Sequence, residues 1–175
     1  MEIFENRNIQ AETLLQIEKP ELISLEPSYL RVIVISRIIS VLFLTAILIV
    51  LFTVIDGPER YAALLIGLPF LILYSGWSLL TAFKGFKFKG YALRERDISY
   101  QKGWLWRSYT TVAINRVQHV RVDQGFIERQ FKLARIKIFT AGGTGSDITI
   151  PGLKPQTADR IKEFIVQRTA HDEEE

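Results

Sequence analysis

The sequence predicts an α+β chain anchored in a membrane: a helical hairpin that crosses a bilayer, then a small β-sandwich or barrel capped by a C-terminal helix. Three observations predict it. Two apolar runs, Val32–Ile55 and Tyr61–Phe83, stand back to back, with only the turn Asp56-Gly-Pro-Glu-Arg60 between them. Beyond them, apolar and polar residues alternate over short segments broken by glycines. Near the end the period changes, and Ala158, Ile161, Phe164 and Ile165 recur at helical spacing.

The stretch before the hairpin, residues 1–31, reads as an arm. It mixes acidic residues with scattered apolar ones, and Pro20 and Pro27 interrupt any long helix. Such an arm packs on the soluble domain or lies on the membrane, and its glutamates weigh against an anionic lipid surface. Its start is acidic and the apolar run begins late, so permanent anchoring is expected rather than a cleaved signal peptide.

The hairpin is placed at residues 32–83, with a first span over 33–55 and a second over 61–83. The uncharged core Ile38–Ile55 covers 18 residues, about 27 Å of helix. The second run covers 23 residues, about 34 Å. Both match a hydrocarbon layer of about 30 Å. A buried helix in a soluble protein rarely stays uncharged for so long, and here two stand in tandem. Lys19 and Arg31 precede the first span, and Lys84, Lys87, Lys89, Arg94 and Arg96 follow the second. The turn carries one basic residue, Arg60. The positive-inside rule then puts both termini in the cytoplasm and the turn outside. Arg37, about a turn inside the first span, reads as a snorkelling anchor. Gly67, Pro69 and Gly76 would let the second helix bend or pack closely.

The β-domain is placed at residues 84–170. Lys84–Leu93 alternates basic and aromatic residues, which is strand periodicity. Further strands are expected at Ile98–Lys102, Trp104–Ile114, Arg116–Asp123, Ala134–Thr140 and Asp147–Ile150. Phe126–Leu133 reads as a short amphipathic turn with Phe126, Ile127 and Phe131 inward. Pro155 suits the first turn of the closing helix. Residues 171–175 form an acidic tail.

The chain has no cysteine, which excludes disulfides, iron–sulfur clusters and thiolate zinc sites. His119 and His171 lack a metal-ligand spacing. Gly142-Gly-Thr-Gly-Ser146 lacks the lysine of a phosphate-binding loop and precedes a strand, so it reads as a hairpin loop. No catalytic residue, metal or cofactor is assigned, and an enzyme is not expected. From Lys84 to Ile138 there are 13 basic residues against 4 acidic ones, a net charge of +9. That basic domain would lie below an anionic leaflet, where each cation contributes about 1 kcal/mol. Arg37, Lys84, Lys87, Lys89, Arg94 and Arg96 are the candidate lipid-facing residues. Trp104 and Trp106 share one face of their expected strand and belong to the core or to a partner surface. The interleaved Phe86, Phe88, Tyr91 and Tyr109 read as core or interface groups, and no nucleic-acid partner is expected.

Tyr91-Ala-Leu, Gly103, Ile114-Asn-Arg-Val-Gln-His-Val, Gly125-Phe-Ile-Glu-Arg-Gln-Phe-Lys-Leu-Ala134 and Thr140-Ala-Gly142 follow the two apolar helices. Together they resemble the YdbS-like bacterial membrane proteins, which carry a type-2 bacterial pleckstrin-homology (PH-like) domain. The resemblance covers most of Ser24 to Ile165. It implies two nearly orthogonal sheets, seven strands and a capping helix, in the bacterial cytoplasmic membrane. It implies no catalytic or ligand residues. The expectation is a non-catalytic scaffold or regulatory module that docks a membrane-protein partner or another copy of itself. An anionic headgroup sensor and a subunit of an oligomeric transport complex are the alternatives.

Overall fold

A computed structural model describes residues 20–141 and 147–172. Most of the expected arm, the Gly142–Ser146 loop, the side chain of His171 and the end of the acidic tail lie outside the described residues.

Two helices form the hairpin, α1 (Ser28–Val54) and α2 (Glu59–Lys87). Gly57, at φ +83°, turns the chain between them, as only a residue without Cβ does at little cost. The helices pack along a seam where the Ser40 and Tyr74 hydroxyls share a hydrogen bond of 2.7 Å. Nearer the turn on that seam the end of the Leu48 side chain lies against Gly67, so a Cβ there would make it shift. Among the described residues nothing covers their other faces, where Leu65, Ile66 and Leu73 are all more than two-thirds exposed. Helices of 27 and 29 residues run about 40 Å and 44 Å, roughly 10 Å more than a hydrocarbon layer. The excess lies at the domain end, where α1 starts before the expected span and α2 continues past it.

The β-domain has a four-stranded antiparallel sheet in the order β1-β2-β3-β4 and a three-stranded one in the order β5-β6-β7. Its strands are β1 (Ile23–Ser24), β2 (Gly90–Leu93), β3 (Asp97–Lys102), β4 (Ser108–Ala113), β5 (Val117–Asp123), β6 (Ala134–Thr140) and β7 (Ile148–Leu153). Alternation selects the core: Ala134, Ile136 and Ile138 of β6 point inward between Arg135 and Lys137. Ile148 and Ile150 of β7 meet them from the next strand. The helix α4 (Pro155–Asp172) closes the sandwich with Ala158, Ile161 and Ile165. A short helix α3 (Phe126–Gln130) links β5 to β6.

Three expectations need correction. First, the boundary at residue 31 separates a strand from its own sheet. Ile23 and Ser24 pair with Tyr91 and Gly90, and Leu25, 3% exposed, joins the core. The seventh strand thus comes from the arm, and the hairpin is spliced into the β1–β2 connection. Second, Lys84 and Lys87 end α2 rather than open a strand. Their three-residue spacing puts them on one helix face but on opposite faces of a strand, and cations stabilise a helix C-terminus. Third, Phe126 is 83% exposed. Glu128 turns inward instead, and a helix places residues two apart on nearly opposite faces.

The splice is fastened. The Glu26 N–H donates to the Gly152 carbonyl at 3.1 Å. Gly152, at φ +68°, lies so close under the Tyr29 ring that any Cβ would overlap it. Lys154 reaches the Glu26 carboxylate at 3.4 Å. The start of α1 is therefore locked to β7, while α2 ends two residues before β2 begins.

Candidate functional site

Two clefts stand at opposite ends of the β-domain. The first lies where the helices meet it. Ile33 and Arg37 of α1, Thr81 and Gly85 of α2, Lys89 and the β3–β4 loop enclose about 290 Å³. The loop forms because Gly103, at φ +93°, ends β3 and folds back so tightly that a Cβ would strike the Trp106 carbonyl. Trp104 and Trp106 consequently sit in a loop, not on one strand face. Trp104 is half-buried and Trp106 is 88% exposed, beside Leu105 at 74%.

The cations at this end rest on aromatic faces. The Lys84 ammonium lies 4.4 Å from the Trp104 ring centre and that of Lys89 lies 5.3 Å from Tyr29. Arg107 lies 5.0 Å from Phe88. Among the described residues none of these three, nor Arg37 or Lys102, has a carboxylate partner within ion-pair distance. Burial, then the charges of Arg37 and Lys102, hold the Lys89 ammonium below the usual lysine range. A half-buried cation facing like charge is stabilised by an anion between them.

The second cleft opens at the far end of the β3–β4 hairpin. It encloses about 1340 Å³, with Arg96, Arg116 and Arg168 on its walls together with Glu95, Asn115 and Gln118. A shift in pairing between Val117 and His119 displaces Gln118 toward it. Arg168 also lies 5.9 Å from the Phe164 ring.

The structure therefore divides the residues singled out in the sequence. Arg37, Lys89, Trp104 and Trp106 share the first cleft, with Lys84 on its indole wall. Lys87 is exposed on the last turn of α2 and does not line the cleft. Arg94 is paired with Asp97 at 2.9 Å in the β2–β3 turn, and Arg96 belongs to the second cleft. Tyr29, Lys102, Arg107, Arg116 and Arg168 join these clusters unannounced by sequence. Lys102 and Arg107 flank the Gly103 loop, so treating that glycine as a hairpin turn would have found them.

The Gly125-Phe-Ile-Glu-Arg run is a structural lock. The Glu128 carboxylate, 2% exposed, accepts the Gly125 N–H at 2.9 Å and takes both Nε and Nη2 of Arg135. This fork fixes α3 to β6.

Comparison with known proteins agrees with this architecture. Residues 30–169 match the family model described as bacterial PH domain. The transmembrane protein YdbS of Bacillus subtilis is 36% identical over 75 residues, 43% of this chain and 45% of YdbS. The transmembrane protein YdbT of the same organism is 22% identical over 111 residues, 63% of this chain and 22% of YdbT. The matched regions thus span less than half the length of either relative. No solved structure matches. The chain belongs to the bacterial PH domain family and is a YdbS-like membrane protein.

Proposed function

We propose that this bacterial PH-domain protein is a non-catalytic docking module, held rigidly on the cytoplasmic face of the cytoplasmic membrane. The observation that carries the reading is the splice of the hairpin between β1 and β2. A domain on a flexible tether samples many orientations. Here both helices enter the same sheet, and the Tyr29–Gly152 and Glu26–Lys154 contacts fasten one of them. One end of the domain is turned to the bilayer and the other away from it. The outward end carries Arg96, Arg116 and Arg168, a surface suited to an acidic segment of a membrane-protein partner or a second copy of the chain. The excess of Lys and Arg beside the domain-side helix ends supports a cytoplasmic orientation.

A photo-crosslinking residue at Asn115 tests this in intact cells. A discrete covalent adduct of defined mass is expected, weakened by charge removal at Arg116 and Arg168. A chain that remains monomeric and free of adducts at that position would overturn the reading.

A further inference from the structure

We propose that the cleft between the feet of the hairpin and the β3–β4 loop binds the phosphate of an anionic glycerophospholipid, through Arg37 and Lys89. This concerns the bilayer-facing end and stands apart from partner docking at the other.

Four observations converge on it. The two side chains come from different elements, 52 positions apart in sequence, yet line one cleft of about 290 Å³. That space takes a phosphate and part of its glycerol, not a whole lipid. The surrounding cations lack carboxylate partners among the described residues, and Lys89 is desolvated beside Arg37 and Lys102. An arginine fork and a lysine point charge are complementary ways to hold phosphate oxygens.

Depth identifies the source of the anion. Arg37 directly precedes the uncharged stretch of α1, and Lys84 directly follows that of α2. The cleft between them therefore lies at the edge of the hydrocarbon, where lipid phosphates are. Its rim is apolar and unpaired, with Leu105 at 74% and Trp106 at 88% exposure. Tryptophan is enriched at that depth in membranes. A site for a soluble anion needs no such rim.

Native mass spectrometry of the full chain tests the proposal. The protein is extracted in mild detergent and offered equal amounts of phosphatidylglycerol and phosphatidylcholine. Selective retention of phosphatidylglycerol is expected. The R37Q/K89Q double variant should lose it by roughly tenfold, while K89R and the exposed K162Q keep it. Millimolar inorganic phosphate should not displace the lipid. Equal retention of both lipids would overturn the proposal, as would undiminished retention in a folded double variant. Displacement by inorganic phosphate would make the site one for a soluble anion, and would overturn it too. Where the double variant fails to fold, Trp106→Ala decides. That side chain is too exposed to hold the fold, so a several-fold loss of retention is expected and an unchanged value would overturn the proposal.

Discussion

Glu128 shows how a charged residue becomes part of a core. Its carboxylate is buried, but both oxygens are satisfied by Arg135 and one also by the Gly125 N–H. Removing one partner leaves the others without a counter-charge. Glu128→Gln is expected to cost about 2 kcal/mol, below the usual cost of breaking a buried pair because Arg135 is partly exposed. Urea denaturation of the full chain in detergent measures it; an unchanged midpoint contradicts it. Lys89 is the opposite case, a cation with no anion. Its pKa is lowered on folding, so the folded chain disfavours the charge. That penalty is present at neutral pH and fades as the pH rises through the folded value toward 10.5. Lys89→Met keeps the apolar stem and removes the charge. In zwitterionic nanodiscs at neutral pH it should melt no lower than wild type, and in anionic ones it should lose any advantage. A lower melting temperature in the zwitterionic discs contradicts the unpaired cation.

The elements that most determine the geometry are short. β1 has two residues, yet with Leu25 it carries the arm into the core. Leu25→Ala should cost about 3 kcal/mol, although the residue precedes the hairpin. It should also speed amide exchange in β2. A loss below about 0.5 kcal/mol would mean the arm is only laid on the surface. Gly152→Ala combines a disfavoured left-handed φ with a clash against Tyr29 and should cost more than about 1 kcal/mol. Much of this architecture was legible. Length and charge marked both helices, and alternation marked the strands from β5 to β7, where one face is buried and the other wet. β1 was not legible, because two residues carry no period. The end of α2 is not legible either, because Lys84, Phe86 and Phe88 fit a strand face, while the helix ladder that overrides that pattern leaves no mark in sequence. Trp104 and Trp106 fall outside the strand expected over Trp104–Ile114 because Gly103 reverses the chain and β4 starts only at Ser108.

In the whole molecule, the residues that matter separate by distance from the bilayer. Sequence placed Arg37 and Lys89 among the lipid-facing groups and the tryptophans in the core or on a partner surface, whereas the structure brings all four to one cleft. It removes Arg94 and Arg96 from that class, because β2 carries them to the opposite end of the sheet. No spacing rule could show that, since it depends on the direction of a four-residue strand. The six-residue strands β3 and β4 hold the Gly103 loop and Asn115 about 20 Å apart. The chain has no cysteine, so single spin labels report position without background. Labels at Leu105 and at Asn115, in the full chain in nanodiscs, can be compared by their accessibility to oxygen and to a water-soluble nickel chelate. A domain locked to the bilayer by its spliced hairpin places label 105 at headgroup depth and label 115 in water. Equal access of the nickel chelate to both would contradict it.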